Sequence, residues 1–277
     1  MNLDRVRAAN RASFADLVTR PDRDIDLARG ALLIAAAERP HVEPGPSLAE
    51  LDRLARLIGT GTGTDASIDG LVERVNLVLF RAAGFRAAAR GQGAKAEHSL
   101  LDAVLDQRVG LPISLAIVQL EVAWRVGLPL HGVGLPGHFI VGGPEGLLLD
   151  PADRGRRLTR DDCQILIRRS LGSRLALTEA MLRPAARRAI LARVLRNLRV
   201  ARLAARDWPA GLAAIELLEV LEPAEIEHSR DRGLLLGRMG RFSDAVALLG
   251  AYLELAPLAG DAGQVRRAMI TFGDRRN

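Results

Sequence analysis

Residues 1 to 58 carry apolar positions at the three-and-four spacing of helix stripes, so this part of the chain reads as helices. In DIDLARGALLIAAAERP, Ile25, Leu27, Ala28, Leu32, Leu33 and Ala36 fall on one broad stripe, with Asp24 or Asp26 as the cap and Pro40 as the stop. SLAELDRLARLIG opens with Ser47 and has Glu50 three residues on, a capping-box pattern ahead of Leu51, Leu54 and Leu57. SIDGLVERVNLVLFRAAGF predicts a further helix with Leu71, Val75, Leu77, Leu79 and Phe80 as its apolar content. GTGTGTDAS (59–67) and GFRAAARGQGAKAEHS (84–99) read as loops, and the first has no lysine after its glycines, so it is not a phosphate-binding loop.

From Ser99 the pattern changes. SLLDAVLDQRVGLPISLAIVQLEVAWRVGLPL predicts a short helix, a VGLP break, a long helix over about 112–126 and a second break. Pro112 suits a first turn, where its missing N–H costs nothing, and a helix apolar on most faces belongs in a core. LHGVGL, HFIVG and GLLLDP follow as short strands between Gly/Pro turns. Helices followed by a small antiparallel sheet make an α+β domain, mostly helical.

After residue 158 the chain returns to helix, and its last part repeats itself at an offset of 34. The offset pairs Trp208 with Phe242, Ala213 with Ala247, Ile215 with Leu249, Leu221 with Leu255 and Pro223 with Pro257. That is the period of a tetratricopeptide helix-turn-helix, and it predicts repeats at about 192–225 and 226–259.

Composition narrows the function classes. Aromatic residues are 3% of the chain, so the core rests on Leu, Ala, Val and Ile. The net charge is +6, and Lys95 is the single lysine. Arginine suits phosphate and carboxylate, but acidic residues are interspersed and no aromatics interleave, which argues against a nucleic-acid partner. In RRAILARVLRNLRVARLAAR, Arg193, Arg196, Arg199, Arg202 and Arg206 lie beside an apolar stripe of Leu191, Val194, Leu195, Leu198 and Leu203. The expectation is a solvated face of a repeat helix, ahead of a surface for an acidic partner or nucleic acid. One cysteine, no signal-peptide core and no apolar run of membrane-spanning length predict a cytoplasmic protein without a membrane segment.

The chemistry centres on GVGLPGHFIV and LLLDP, which bring His138 and Asp150 to neighbouring strands. A nucleophilic site would add a thiol at a helix N-terminus, with the histidine as base and the aspartate fixing its tautomer. The helix that begins near Pro112 is the place for it, and GLPISLA holds no cysteine. Two substitutes remain: Ser114 in the first turn, or Cys163 in RDDCQILI folding back toward His138. Against them stand a hydroxyl that satisfies first-turn backbone groups and a small buried helix residue. His138 itself is either a hydrogen-bonded core residue or a binding element. The histidines His41, His98, His131, His138 and His228 form no close ligand pair, so no metal is expected, and no cofactor either. Gly132, Gly134 and Gly137 spell GxGxxG, but Pro136 intervenes and a strand follows, so this is no dinucleotide fingerprint.

The order of buried helix, GLP, strand, GHFIV, strand and LLLDP resembles the transglutaminase-like (papain-like) superfamily, and within it the SirB-type branch also found fused to F-box proteins. RVGLPISLAIVQLEVAWRVGLPLHGVGLPGHFIV carries most of the resemblance, which runs from about residue 14 to 180. In catalytic members a cysteine opens the helix, and histidine and aspartate follow on strands. His138 and Asp150 match the last two, while the cysteine position falls at about Pro112 to Ser114. GLLLGRMGRFSDAVALLGAYLELAP resembles the tetratricopeptide family, with Gly233, Ala245 and Pro257 at its small, small and proline positions. The resemblance implies a domain over 1–182 and repeats over 183–277. It implies a non-catalytic protein- or peptide-interaction or regulatory module. The alternative is acyl transfer or amide hydrolysis with a displaced nucleophile. Two repeats are fewer than the roughly three that stand alone, so they are expected to pack on the first domain.

Overall fold

The computed structural model describes residues 3–59, 67–89, 95–172 and 175–275. The GTGTGTDAS loop and the Gly-rich middle of the 84–99 stretch lie mostly outside them. Helix α1 (Leu3–Thr19) leads to α2 (Leu27–Glu38), whose residues from Leu27 to Ala37 are buried except Arg29. Of the two candidate caps Asp26 serves, accepting from Arg29 N, and Glu121 reaches across the core to accept from Ala28 N at 2.9 Å. Two carboxylates thus meet the orphan donors and positive end of one helix.

The capping box expected at Ser47 and Glu50 does not form. Helix α3 (Pro44–Ile58) starts a turn earlier, and Glu43 at its cap makes no side-chain bond. Prolines in the first turn remove donors that a box would satisfy, and Glu50 binds Arg53 and Arg108 instead. Helix α4 (Ile68–Asn76), capped by Ser67, runs into a π-helical turn over Leu77–Ala82. That turn rotates the register, so Val78, Leu79 and Phe80 are buried while Leu77 is exposed.

Strands β1 (Arg86–Ala87) and β2 (Val109–Gly110) pair in parallel around α5 (Leu101–Gln107). Helix α6 (Pro112–Arg125) has Pro112 in its first turn, and every residue from Ile113 to Ala123 is buried, as its all-round apolar character predicts. Strands β3 (His131–Val133), β4 (Ile140–Gly142), β5 (Leu148–Asp150) and β6 (Arg156–Arg157) form an antiparallel meander. The fourth strand and the parallel pair are additions to the sequence reading, and each is two residues long, too short for a periodic signal. Helix α7 (Arg160–Leu171) starts with a capping box between Thr159 and Asp162 and closes the sheet.

The repeats follow as α8 (Arg187–Ala204) with α9 (Trp208–Leu221), then α10 (Glu227–Arg238) with α11 (Phe242–Leu255). The offset of 34 holds, since Trp208 and Phe242 each begin a 14-residue helix. A last helix, α12 (Ala262–Asp274), covers the second hairpin through Val265 and Phe272. The first hairpin packs on the preceding domain as expected. Leu191, Leu195, Leu217 and Leu218 share one apolar core with Phe14, Leu32 and Leu120.

The arginine-rich face of α8 is not simply solvated. Arg196 binds Glu222, Arg199 binds Asp231, Arg202 binds Glu38, and Arg193 binds backbone carbonyls. These four arginines fasten α8 to its neighbours, while Arg206 lies beyond the end of the helix and is exposed.

Candidate functional site

Leu135, Pro136, Gly137 and His138 make a tight turn closed by His138 N donating to Leu135 O at 3.1 Å. Proline in the second place and a glycine with φ of +73° in the third are what a type II turn asks for. The turn delivers His138 two residues before β4, not on the strand as its sequence suggested. Asp150 ends β5. The two meet at 3.0 Å, His138 Nε2 to Asp150 Oδ1, and both are buried. Asp150 Oδ1 also accepts from Ala152 N at 2.9 Å, which fixes the carboxylate. A carboxylate only accepts, so in the neutral imidazole it is Nε2 that carries the proton and Nδ1 that keeps its lone pair. Among the described residues Nδ1 has no hydrogen-bond partner, and it is not sealed from solvent. His138 lines a cleft of about 730 Å³ together with Pro112, Gly137, Asp150 and Arg169.

The N-terminus of α6 opens on this cleft through Leu111 and Pro112. Ser114 does not join His138. Its hydroxyl points back, its one hydrogen donated to His98 O at 2.5 Å with Leu111 O also in reach at 3.1 Å, and it is 1% exposed. This ties the 3-10 turn at Ala96–Ser99 to the start of α6. Ser114→Ala is expected to lower the unfolding free energy by about 1 kcal/mol in a urea titration. The cost is that small because both carbonyls keep backbone donors, Leu111 N and Leu115 N.

Cys163 is fully buried on α7, packed with Val133, Ile140 and Ile167. Burial, with Asp162 and Asp150 nearby, pushes its thiol up to about 11, the reverse of what an attacking thiolate needs. Among the described residues no three His, Cys, Asp or Glu side chains converge so as to hold a metal ion. Among the described residues none that lines the cleft comes from the repeats.

A supporting residue escaped the sequence reading. Arg193 donates to His138 O at 2.8 Å and, from both terminal nitrogens, to Leu135 O at 3.1 Å. It thereby clamps both ends of the turn from α8, with its guanidinium 5.4 Å from the Phe139 ring. Burial lowers its pKa. Its one signal in the sequence is a charge three residues after Ile190, at the margin of the apolar stripe.

A buried helix that opens on a His–Asp cleft beside a small antiparallel sheet, followed by helical hairpins of period 34, defines a transglutaminase-like domain joined to tetratricopeptide repeats. A family model described as transglutaminase-like superfamily matches residues 46–196, and a tetratricopeptide-repeat model matches 198–270. The chain is 32% identical over 266 residues to a UPF0162 protein of Xylella fastidiosa (strain 9a5c), covering 94% of each. It is 36% identical over 251 residues to a UPF0162 protein of Pseudomonas aeruginosa, covering 90% of this chain and 85% of that one. F-box only protein 21 of Mus musculus is 32% identical over 108 residues, covering 35% of this chain and 17% of its own. No solved structure matches. The chain belongs to the transglutaminase-like superfamily and, within it, to the UPF0162 proteins. No helix among the described residues is long and apolar enough to cross a membrane.

Proposed function

We propose that this protein is a non-catalytic transglutaminase-like module, a cytoplasmic interaction or regulatory protein that keeps the His138–Asp150 cleft as a binding pocket. In this reading residues 1–182 form the pocket-bearing domain and 183–277 the repeat domain. The observation that carries it is the wall facing His138. Where acyl transfer needs a nucleophile, the α6 terminus offers Leu111 and Pro112. Ser114 is committed to two carbonyls, and Cys163 is sealed with a raised pKa. A fixed histidine with a free acceptor nitrogen still recognises a donor on a ligand. The repeats supply surface for protein partners, as stacked hairpins do.

The test compares the full chain with His138→Ala in amine-incorporation and peptide-amide hydrolysis assays. Neither is expected to turn over substrate. The substitution should lower the unfolding free energy by about 1–2 kcal/mol through loss of the bond to Asp150. Turnover by the native chain that disappears in His138→Ala would sink the proposal. It would install the acyl-transfer reading, with Ser114 or Cys163 as the displaced nucleophile.

A further inference from the structure

Beside the turn that carries His138 lies a second hollow, of about 580 Å³, that shares no lining residue with the cleft. It sits between the 180–185 segment, α8 and the 134–139 turn, and Arg183, Arg193 and Arg196 line it. Among the described residues no acidic side chain lines it. Arg196 is already answered by Glu222, at 2.7 Å and 2.8 Å. The other two cations are not answered. Arg193 spends three N–H donors on carbonyls and has no carboxylate within salt-bridge distance among the described residues, although its guanidinium is largely withdrawn from water. Its Nε–H is unspent and is not sealed. Arg183 is exposed and makes no ion pair among the described residues. A half-buried guanidinium with neutral partners alone is a costly arrangement, and an incoming anion relieves it.

The rest of the lining is apolar: Met181, Pro184, Ala185 and Ala189. The one aromatic ring, Phe139, is 2% exposed beneath Arg193 and offers no face for a base to stack on. Charge and lining together fit a carboxylate carried on an apolar segment, rather than a nucleic-acid strand.

We propose that this hollow is a docking site for an acidic peptide segment of a protein partner. A Glu or Asp carboxylate pairs with Arg183 and Arg193, and a neighbouring apolar side chain covers Met181 and Pro184. The proposal goes beyond the His138 pocket and does not depend on whether that pocket is catalytic. It couples the two, because the guanidinium that takes the carboxylate also holds the His138 carbonyl.

Fluorescence anisotropy on the full chain tests it with three labelled probes: an octapeptide of alternating glutamate and leucine, its glutamine–leucine counterpart, and an eight-base oligothymidylate. The glutamate peptide is expected to bind, weakening with salt, and the glutamine peptide to bind at least about tenfold more weakly. Arg183→Glu and Ala189→Glu, both at exposed positions, should each weaken the glutamate peptide by about tenfold or more. Amide exchange over 134–139 should slow when that peptide is bound. Absence of binding, binding unaffected by both substitutions, equal affinity for the glutamine peptide or preferential binding of oligothymidylate would each overturn the proposal.

Discussion

Arg202→Met is expected to cost about 3–5 kcal/mol at pH 7, because it strands a carboxylate in the core. Glu38 ends α2 with its side chain 3% exposed, and Arg202 meets its Oε2 with two nitrogens, Nε at 3.0 Å and Nη2 at 2.6 Å. Among the described residues the other carboxylate oxygen, Oε1, has no partner. Burial is the strongest influence on Glu38 and lifts its pKa above the ordinary carboxylate range, against the pull of Arg202. Methionine keeps most of the arginine stem, so the loss isolates the charge rather than the packing. Without the guanidinium the Glu38 pKa rises further. A carboxyl whose folded pKa exceeds its unfolded one holds its proton more tightly in the folded chain. Stability then falls as pH rises from the unfolded value through the folded one. The Arg202→Met penalty should therefore shrink when urea titrations are repeated at lower pH, and Glu38→Gln in the same chain should recover much of it. A penalty independent of pH, or below about 1 kcal/mol, would show that this pair is not what fastens α8 to α2.

Gly155→Ala should be of similar size, about 3–5 kcal/mol, from strain and lost hydrogen bonds together. Gly155 has a φ of +72°, and a Cβ there would lie 2.2 Å from Asn76 Oδ1 and 2.4 Å from its Cγ. Asn76 has no room to yield without damage. Its Nδ2 donates to Gly155 O at 2.9 Å, and its Oδ1 accepts from Gln119 Nε2 at 2.8 Å. Gln119 is fully buried on α6, and its own Oε1 already lacks a partner among the described residues. Rotating Asn76 away leaves a second sealed amide group unsatisfied. Gly155 N also donates to Asp150 O at 2.8 Å, so the strain reaches the residue that holds His138. The double substitution with Asn76→Ala should cost less than the two single costs added, since both remove the same contact. Strict additivity in denaturant titrations would mean that the clash is absorbed elsewhere.

Much of the framework can be read from local pattern. The stripe of α2, the cap at Asp26, the first-turn Pro112 and the offset of 34 are signals within a few residues or within one repeat, and each element stands where its signal puts it. The pairing of His138 with Asp150 was legible for the same reason, since a short meander brings neighbouring strand ends together. What escaped is set by distant partners. Ser47 and Glu50 have the spacing of a capping box, but two prolines start the helix earlier and Arg108, 58 residues away, takes the carboxylate. Ser114 has the place of a nucleophile, and its direction is decided by the carbonyl of His98. Arg193 looks like its sister arginines until the 135–138 turn is folded against it. In each case the local residue types allow several outcomes, and a long-range donor or acceptor selects one.

The two repeat hairpins are alike in sequence and unequal in surroundings. Leu221 ends α9 at 2% exposure, while its equivalent, Leu255, ends α11 at 71%. The outer side of α9 is built into the core shared with α1 and α2, whereas α11 is covered, among the described residues, by the terminal helix α12. This gives the array a direction for evolutionary lengthening. A duplicated hairpin placed after α11 would take the face on which α12 now packs, displacing one terminal helix and no shared core. The same insertion between α2 and α9 would have to split a common interior. Variation in repeat number among relatives should therefore accumulate on the α12 side, leaving the α8–α9 hairpin as the fixed root from which the rest extends.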